Sequence, residues 1–74
     1  MSNTDYDETL RRIAEAIRER CIDEARKGFE QGGMSGLCVE GRLDLAIDRL
    51  RSLDLESIVH DTLAANPPNP YRSS

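Results

Sequence analysis

The chain has 74 residues, a formal net charge of −4, and few aromatic residues: one Phe, two Tyr and no Trp. A chain of this length and composition predicts one domain with a shallow core, and such domains often gain stability from a disulfide, a metal or a partner subunit. The acidic balance lacks the basic surface that phosphate neutralisation requires, so we expect no binding to nucleic acid or to anionic membranes.

The beginning of the chain and its two cysteines favour a cytoplasmic protein. The segment "MSNTDYDETL" is polar and acidic, unlike the basic and then apolar start of a signal peptide. No apolar run approaches the ~20 residues that cross a bilayer. Because a reducing cytoplasm is then the default, we expect both cysteines to be free thiols.

A long first helix is predicted over about residues 5–30. Apolar side chains recur there at the 3.6-residue spacing of one helix face. They are Tyr6, Leu10, Ile13, Ala14, Ile17 and Cys21. Thr4 or Asp5 can cap the start of this helix, and the pair Gly32-Gly33 is expected to end it.

Two shorter helices are predicted over about residues 36–52 and 55–65, which makes the protein all-α, a helical hairpin or a three-helix arrangement. Ser35 and Asp54 are the expected caps of these helices. The predicted core stripe of the second helix is Val39, Leu43, Ala46, Ile47 and Leu50. The prolines after Asn66 end the third helix, so we expect a single domain over residues 1–66 and a disordered, proline-containing tail over residues 67–74.

The glycine-rich segment "GGMSGLCVEGR", residues 32–42, is the part of the chain that most suggests a ligand site. From Gly36 to Arg42 it reads G-x-x-x-x-G-R, but Arg42 and Leu43 stand where a phosphate-binding loop has Lys and then Ser or Thr. A nucleotide loop is therefore not expected. A weaker interpretation is that backbone N–H groups at the start of the second helix, together with Arg42, hold a small anion.

The two cysteines are expected to lie in different environments. Cys21 falls in the apolar stripe of the first helix, where a cysteine is usually a small buried side chain. Cys38 falls in the first turn of the second helix, where the helix N-terminus favours a reactive thiolate. Cys38 and Arg42 therefore form a candidate thiol or anion site, with purely structural cysteines as the alternative. Together with the lone His60, the cysteines lack metal-ligand spacing, so we expect no metal and no cofactor.

Gly41 predicts either an interface or a late helix start. In a helix interior glycine costs ~1 kcal/mol relative to alanine, so its presence there needs a reason. Cys38, Gly41 and Leu45 share the side opposite the predicted core stripe, where small residues would let a partner helix approach. The alternative is that the helix begins after Gly41. The position of Glu24 also has two interpretations: it either pairs with Arg42 or stays solvated. The apolar stripe of the first helix shifts away from Glu24 along the helix, which favours the solvated position.

Two segments carry resemblances to known proteins. "RSLDLESIVHDTL", residues 51–63, resembles the phosphopantetheine attachment region of acyl carrier proteins, which implies a prosthetic group on Ser52, although Arg51 stands where that family has Asp. "SGLCVEGRLDLAIDRLRSLDL" is similar to short uncharacterised bacterial all-helical proteins, some of which carry an acetyltransferase label. The latter resemblance implies no catalytic residue.

These patterns favour a small, non-catalytic helical module for protein–protein interaction or assembly. The thin predicted core and the two-sided second helix predict a homo-oligomer, a homodimer in the simplest case, or a complex with a protein partner. No catalytic arrangement of nucleophile, base and orienting acid is expected. Two alternatives stay open: a thiol-dependent or anion-binding regulator using Cys38 and Arg42, and a carrier-like or accessory protein in acyl transfer.

Overall fold

A computed structural model describes residues 4–65, with side chains from Tyr6 onward, and it is built of three helices. These are α1 (Thr4–Met34), α2 (Val39–Arg51) and α3 (Leu55–Ala65). This confirms the expected all-α, three-helix arrangement, and the third helix has the predicted bounds. The predicted caps at the start of α1 lie outside the described side chains. The predicted tail over residues 67–74 lies outside the described residues.

The contacts within the chain group into two compact units. One contains the described residues up to Arg18 and those from Asp54 onward, and the other contains Glu19–Leu53. Helix α1 contributes residues to both units. The expected single domain over residues 1–66 stays a prediction.

The end of α1 lies beyond the predicted one, because Gly32-Gly33 is not the stop signal. The helix continues to Met34, and the turn that follows it contains Gly36, whose φ of +81° is in the left-handed region. The backbone N–H of Leu37 donates to the Gly32 carbonyl over 2.9 Å, and that of Gly36 donates to the Gly33 carbonyl over 3.0 Å. These two bonds are the Schellman pattern, which satisfies carbonyls that the helix end leaves open.

The start of α2 also differs from the prediction. Ser35 is not its cap and residues 36–38 are not helical, because this stretch forms the turn that closes α1. The N-cap is Cys38, which has an extended backbone (φ −69°, ψ 171°) and makes no side-chain capping hydrogen bond. Gly41 therefore lies in the first turn of the helix rather than in its interior.

Helix α3 begins at the predicted cap, Asp54. The backbone N–H of Ser57 donates to Asp54 Oδ1 over 3.1 Å, and the Ser57 hydroxyl donates to Oδ2 over 2.9 Å. Both hydrogen bonds stabilise the ionised carboxylate and so lower the pKa of Asp54. The bond from the backbone N–H has the larger effect, and the bond from the hydroxyl the smaller one. In the same unit, Thr9 of α1 and Ile58 of α3 are buried.

Within Glu19–Leu53, α1 and α2 form an antiparallel hairpin whose axes approach closely at two glycines. A methyl group placed on Gly28 would lie 2.8 Å from the Cα of Ala46, and one placed on Gly32 would lie 3.0 Å from the Cα of Arg42. Glycines four residues apart lie on one helix face and let a neighbouring backbone approach. Gly28 and Gly32 therefore set the register of the hairpin, and Ala46 is buried at the closest point.

The predicted core stripe of α2 is correct only at Ala46. Of its five residues, Ala46 is buried, whereas the large side chains are exposed to solvent. Those exposed residues are Val39, Leu43, Ile47 and Leu50. The physical reason is that the two glycines of α1, which have no side chains, let α2 pack closely through the side that carries Ala46 and two arginines. The large apolar residues therefore lie on a different side of α2.

Candidate functional site

The side of α2 that faces α1 is formed by two arginines and two apolar residues. On this side are Arg42, Leu45, Ala46 and Arg49, which are spaced at i, i+3, i+4 and i+7. Arginine stems can cover apolar surface while their guanidinium groups stay wet. The hairpin is thus closed by two arginine stems and the half-buried Leu45 around a small buried alanine.

Glu24 takes part in this closure, and the prediction that it stays solvated is wrong. Its side chain is 15% exposed, and its Oε1 lies 2.9 Å from Arg49 Nη2 and accepts a 3.1 Å hydrogen bond from Arg49 Nε. Arg49 Nη1 also donates to Gln31 Oε1 over 3.2 Å. The alternative partner that we considered for Glu24, Arg42, is wrong too, since Arg42 is held elsewhere.

Arg42 is held at the turn of the hairpin. Its Nε donates to the Leu37 carbonyl over 2.9 Å, and its guanidinium carbon lies 5.8 Å from the centre of the Phe29 ring. That distance is within the range of a cation–π contact. The side chain that the sequence suggested for an anion site is thus engaged with groups of its own chain.

The residues of the predicted interface lie in three different settings. Cys38 is exposed at the N-cap of α2. A methyl group placed on Gly41 would lie 3.2 Å from the Cβ of Leu37, so the space beside Gly41 holds a side chain of the same chain. Leu45 is half-buried, and its carbonyl oxygen would lie 3.0 Å from a methyl group on Gly28.

The remaining chemically interesting side chains do not gather into one site. Cys21 is half-buried and unpaired, and Cys38 is likewise a free cysteine. Within residues 4–65, no group of three or more His, Cys, Asp or Glu side chains is placed to hold a metal ion. Ser52 is the C-cap of α2, at the negative end of the helix, which is unfavourable for a phosphate ester.

The most distinctive surface of the described chain is apolar and lies on α2. Its four side chains, Val39, Leu43, Ile47 and Leu50, recur along one side of the helix. At 3.6 residues per turn, the centre of this stripe lies about 90° around the helix from the side that faces α1. Val39 is 67% exposed and Leu43 53% exposed, whereas Ile47 and Leu50 are each 37% exposed, so the stripe is most open toward the N-terminus of α2.

Helix α1 extends this surface with Ile22 and Phe29, which are 46% and 38% exposed. Both lie about 120° around α1 from its contact side. Because α1 and α2 are right-handed and antiparallel, positions turned in the same sense from their contact sides lie on one side of the hairpin. We use the name apolar face for the six residues Ile22, Phe29, Val39, Leu43, Ile47 and Leu50.

The sequence pattern detected the α2 part of the apolar face but assigned it to the core. The signal that would have corrected this is the Gly28-x-x-x-Gly32 spacing in α1, because glycines there bring the neighbouring helix too close for large side chains. The predicted role of Gly32, as part of a helix stop, does not use this spacing.

No protein-family model, curated protein sequence or solved structure matches the chain. Among residues 4–65, none of the helices is both long enough and apolar enough to cross a membrane.

Proposed function

We propose that this protein is a small, non-catalytic helical module for protein–protein interaction or assembly, and that the apolar face is its binding surface. The observation that supports the proposal is the exposure of six large apolar side chains on one side of the Glu19–Leu53 hairpin. The largest exposed apolar patch on a soluble protein is often functional, which favours this face as the interaction site.

The thin core supports the same function. Within the described residues the buried hydrophobic side chains are Ala46 and Ile58, and none of the large ones is fully buried. Burial of apolar surface is the main favourable term in folding, at roughly 25 cal/mol per Å². A partner that covers the apolar face would therefore add to the stability of the hairpin as well as bind to it.

Site-specific photo-crosslinking in the cells that make the protein tests this function. A benzophenone amino acid at Leu43 lies on the apolar face, and the same amino acid at Asp48 is the matched control. Asp48 is exposed on the same helix, about 140° away from Leu43. We expect discrete crosslinked adducts from position 43 and few from position 48. An interaction module is contradicted if position 43 gives no more adduct than position 48.

A further inference from the structure

We infer that the partner that covers the apolar face is a second copy of this chain, packed with its α2 antiparallel to the first α2 about a twofold axis. This inference rests on the proposed function and names its partner. Three features of the Glu19–Leu53 hairpin carry it: the symmetry of the apolar stripe, the position of Phe29, and the charges at the two ends of α2.

The stripe on α2 is symmetrical along the helix. Its end residues, Val39 and Leu50, and its middle residues, Leu43 and Ile47, share a midpoint close to position 45. A twofold interface is self-complementary, so each contacting residue must have a counterpart at the mirrored position of the partner. An antiparallel second α2 centred on position 45 places Leu43 against Ile47 of the second copy and Val39 against Leu50.

Phe29 lies beside the same midpoint. The closest approaches in the hairpin pair Gly28 with Ala46 and Gly32 with Arg42, so Phe29 is level with position 45 of α2. The twofold axis that centres the α2 stripe therefore passes close to Phe29 and brings the two Phe29 rings together. Aromatic pairs contribute beyond the area that they bury.

The charges at the ends of α2 match this arrangement. Glu40 stands in the first turn and Arg51 in the last, and both lie on the flank of the stripe away from α1, about 75° from its centre. Their midpoint is also close to position 45, so an antiparallel partner places each Glu40 opposite an Arg51. In the described part of the chain, neither side chain has an ion-pair partner.

The area of the face reaches the minimum for a dimer when the face is fully covered. Complete burial of the exposed parts of the six residues in both copies would remove on the order of 1,000 Å² from solvent, which is the lower bound for a specific interface. The flanking Glu40 and Arg51 would add to that area.

Sedimentation velocity of the full chain over a concentration series is the first test. We expect a species of twice the 8.3 kDa chain mass that dissociates on dilution. A chain that stays monomeric at millimolar concentration overturns the inference. If the Leu43 position then crosslinks to a different protein in cells, the interaction function stands and the second copy alone is excluded.

Charge reversal tests the antiparallel pairing. Glu40→Arg and Arg51→Glu each place like charges together at both ends of the dimer, so each should raise the dimer Kd about tenfold. The double variant restores opposite charges and should return the Kd to within about twofold of the original. An effect on the helix dipole alone predicts the opposite order. Both reversals place unfavourable charges at the ends of α2, so the double variant would then have the highest dimer Kd.

Asp48→Arg is the matched control for Glu40→Arg, since both replace an acidic residue of α2 by arginine and Asp48 lies away from the apolar face. We expect it to leave the dimer Kd within about twofold of the original value. Circular dichroism checks that each variant remains helical. Single reversals that leave the Kd unchanged, or a double variant weaker than both, overturn the antiparallel arrangement.

Discussion

Two nitrogens of Arg49 contact one carboxylate oxygen of Glu24, Nη2 at 2.9 Å and Nε at 3.1 Å. This ion pair links α2 to α1. The third nitrogen of Arg49 donates to Gln31, which lies about two helical turns beyond Glu24 toward the hairpin turn. The Glu24 side chain is 15% exposed and that of Arg49 is 36% exposed, so solvent screens the pair only in part.

Breaking this pair should lower the stability of the hairpin. We expect Glu24→Gln and Arg49→Gln each to reduce the free energy of unfolding by about 1 kcal/mol, with a coupling of similar size in the double-mutant cycle. Arg49→Lys should lose nearly as much, because one ammonium group cannot reach both acceptors in the same geometry. Urea denaturation at one fixed protein concentration measures these changes.

The Arg18–Glu15 pair is the matched control for the cycle. Its atoms are 3.5 Å apart and both side chains are more than half exposed. Its coupling should be below about 0.5 kcal/mol. Equal couplings for the two pairs would show that Glu24–Arg49 is no more than a surface contact.

Alanine at Gly28 should destabilise the protein, although alanine is the better helix former. The added methyl group meets the backbone of Ala46 at 2.8 Å, so the two helices would have to move apart. Overpacking of this kind costs about 1–3 kcal/mol, which exceeds the gain of ~1 kcal/mol in helix propensity. Thermal unfolding followed by circular dichroism measures the difference.

Gly33→Ala is the control for that substitution. A methyl group on Gly33 meets the guanidinium end of Arg42 at 3.3 Å, and a flexible side-chain end can shift. We therefore expect Gly33→Ala to leave the melting temperature unchanged or raise it. The close approach at Gly28 is contradicted if the two alanine variants melt alike.

The capping carboxylate of Asp54 should make stability depend on pH in acid. Its pKa is lowered in the folded chain by the hydrogen bonds from Ser57, relative to the ordinary value of 3.8. A group whose pKa is lowered on folding stabilises the folded state above the unfolded pKa, and this contribution is lost as the pH falls through the folded pKa. Asp54→Ala should therefore lower the melting temperature at pH 6 and have progressively less effect below pH 3.8.

Asp54→Asn separates the charge from the capping geometry. Asparagine also caps helices but does not titrate in this range. The difference in melting temperature between the asparagine and alanine variants should stay constant from pH 6 to acid. The difference between the natural chain and the alanine variant should shrink as the carboxylate is protonated, because the neutral carboxyl keeps an acceptor oxygen but loses its charge. A constant difference between the natural chain and the alanine variant would refute the role of the ionised carboxylate.

Cys38 should react with alkylating reagents faster than Cys21. Cys38 is exposed at the N-cap of α2, whereas Cys21 is half-buried in α1. We expect a rate ratio of about fivefold or more in the folded chain and near equality in denaturant, because a reagent reaches the exposed sulfur of Cys38 more readily than the half-buried sulfur of Cys21. Mass spectrometry of time-quenched samples reads both sites, and equal rates in the folded chain would exclude a reactive Cys38.

The local features of the fold were accessible from the sequence. The 3.6-residue recurrence of apolar residues predicts three helices, and Asp54 at the start of α3 is a cap because its carboxylate reaches a backbone N–H three residues ahead. These features depend on neighbours within one or two turns. The predictions for Ser35 and Gly32-Gly33 are wrong because Gly36, with its left-handed backbone, forms the turn that closes α1. The hydrogen bonds of this turn run from Gly36 and Leu37 back to the carbonyls of Gly33 and Gly32.

The sequence by itself determined that this chain is helical, that its core is thin, and that α2 carries a stripe of large apolar residues. Only the tertiary structure decided where that stripe points. Periodicity shows which residues share a side of a helix but not which side meets a neighbour, and here Gly28 and Gly32 select the side with Ala46 and the two arginines. The close approach of two backbones, made possible by missing side chains, leaves the apolar stripe in solvent.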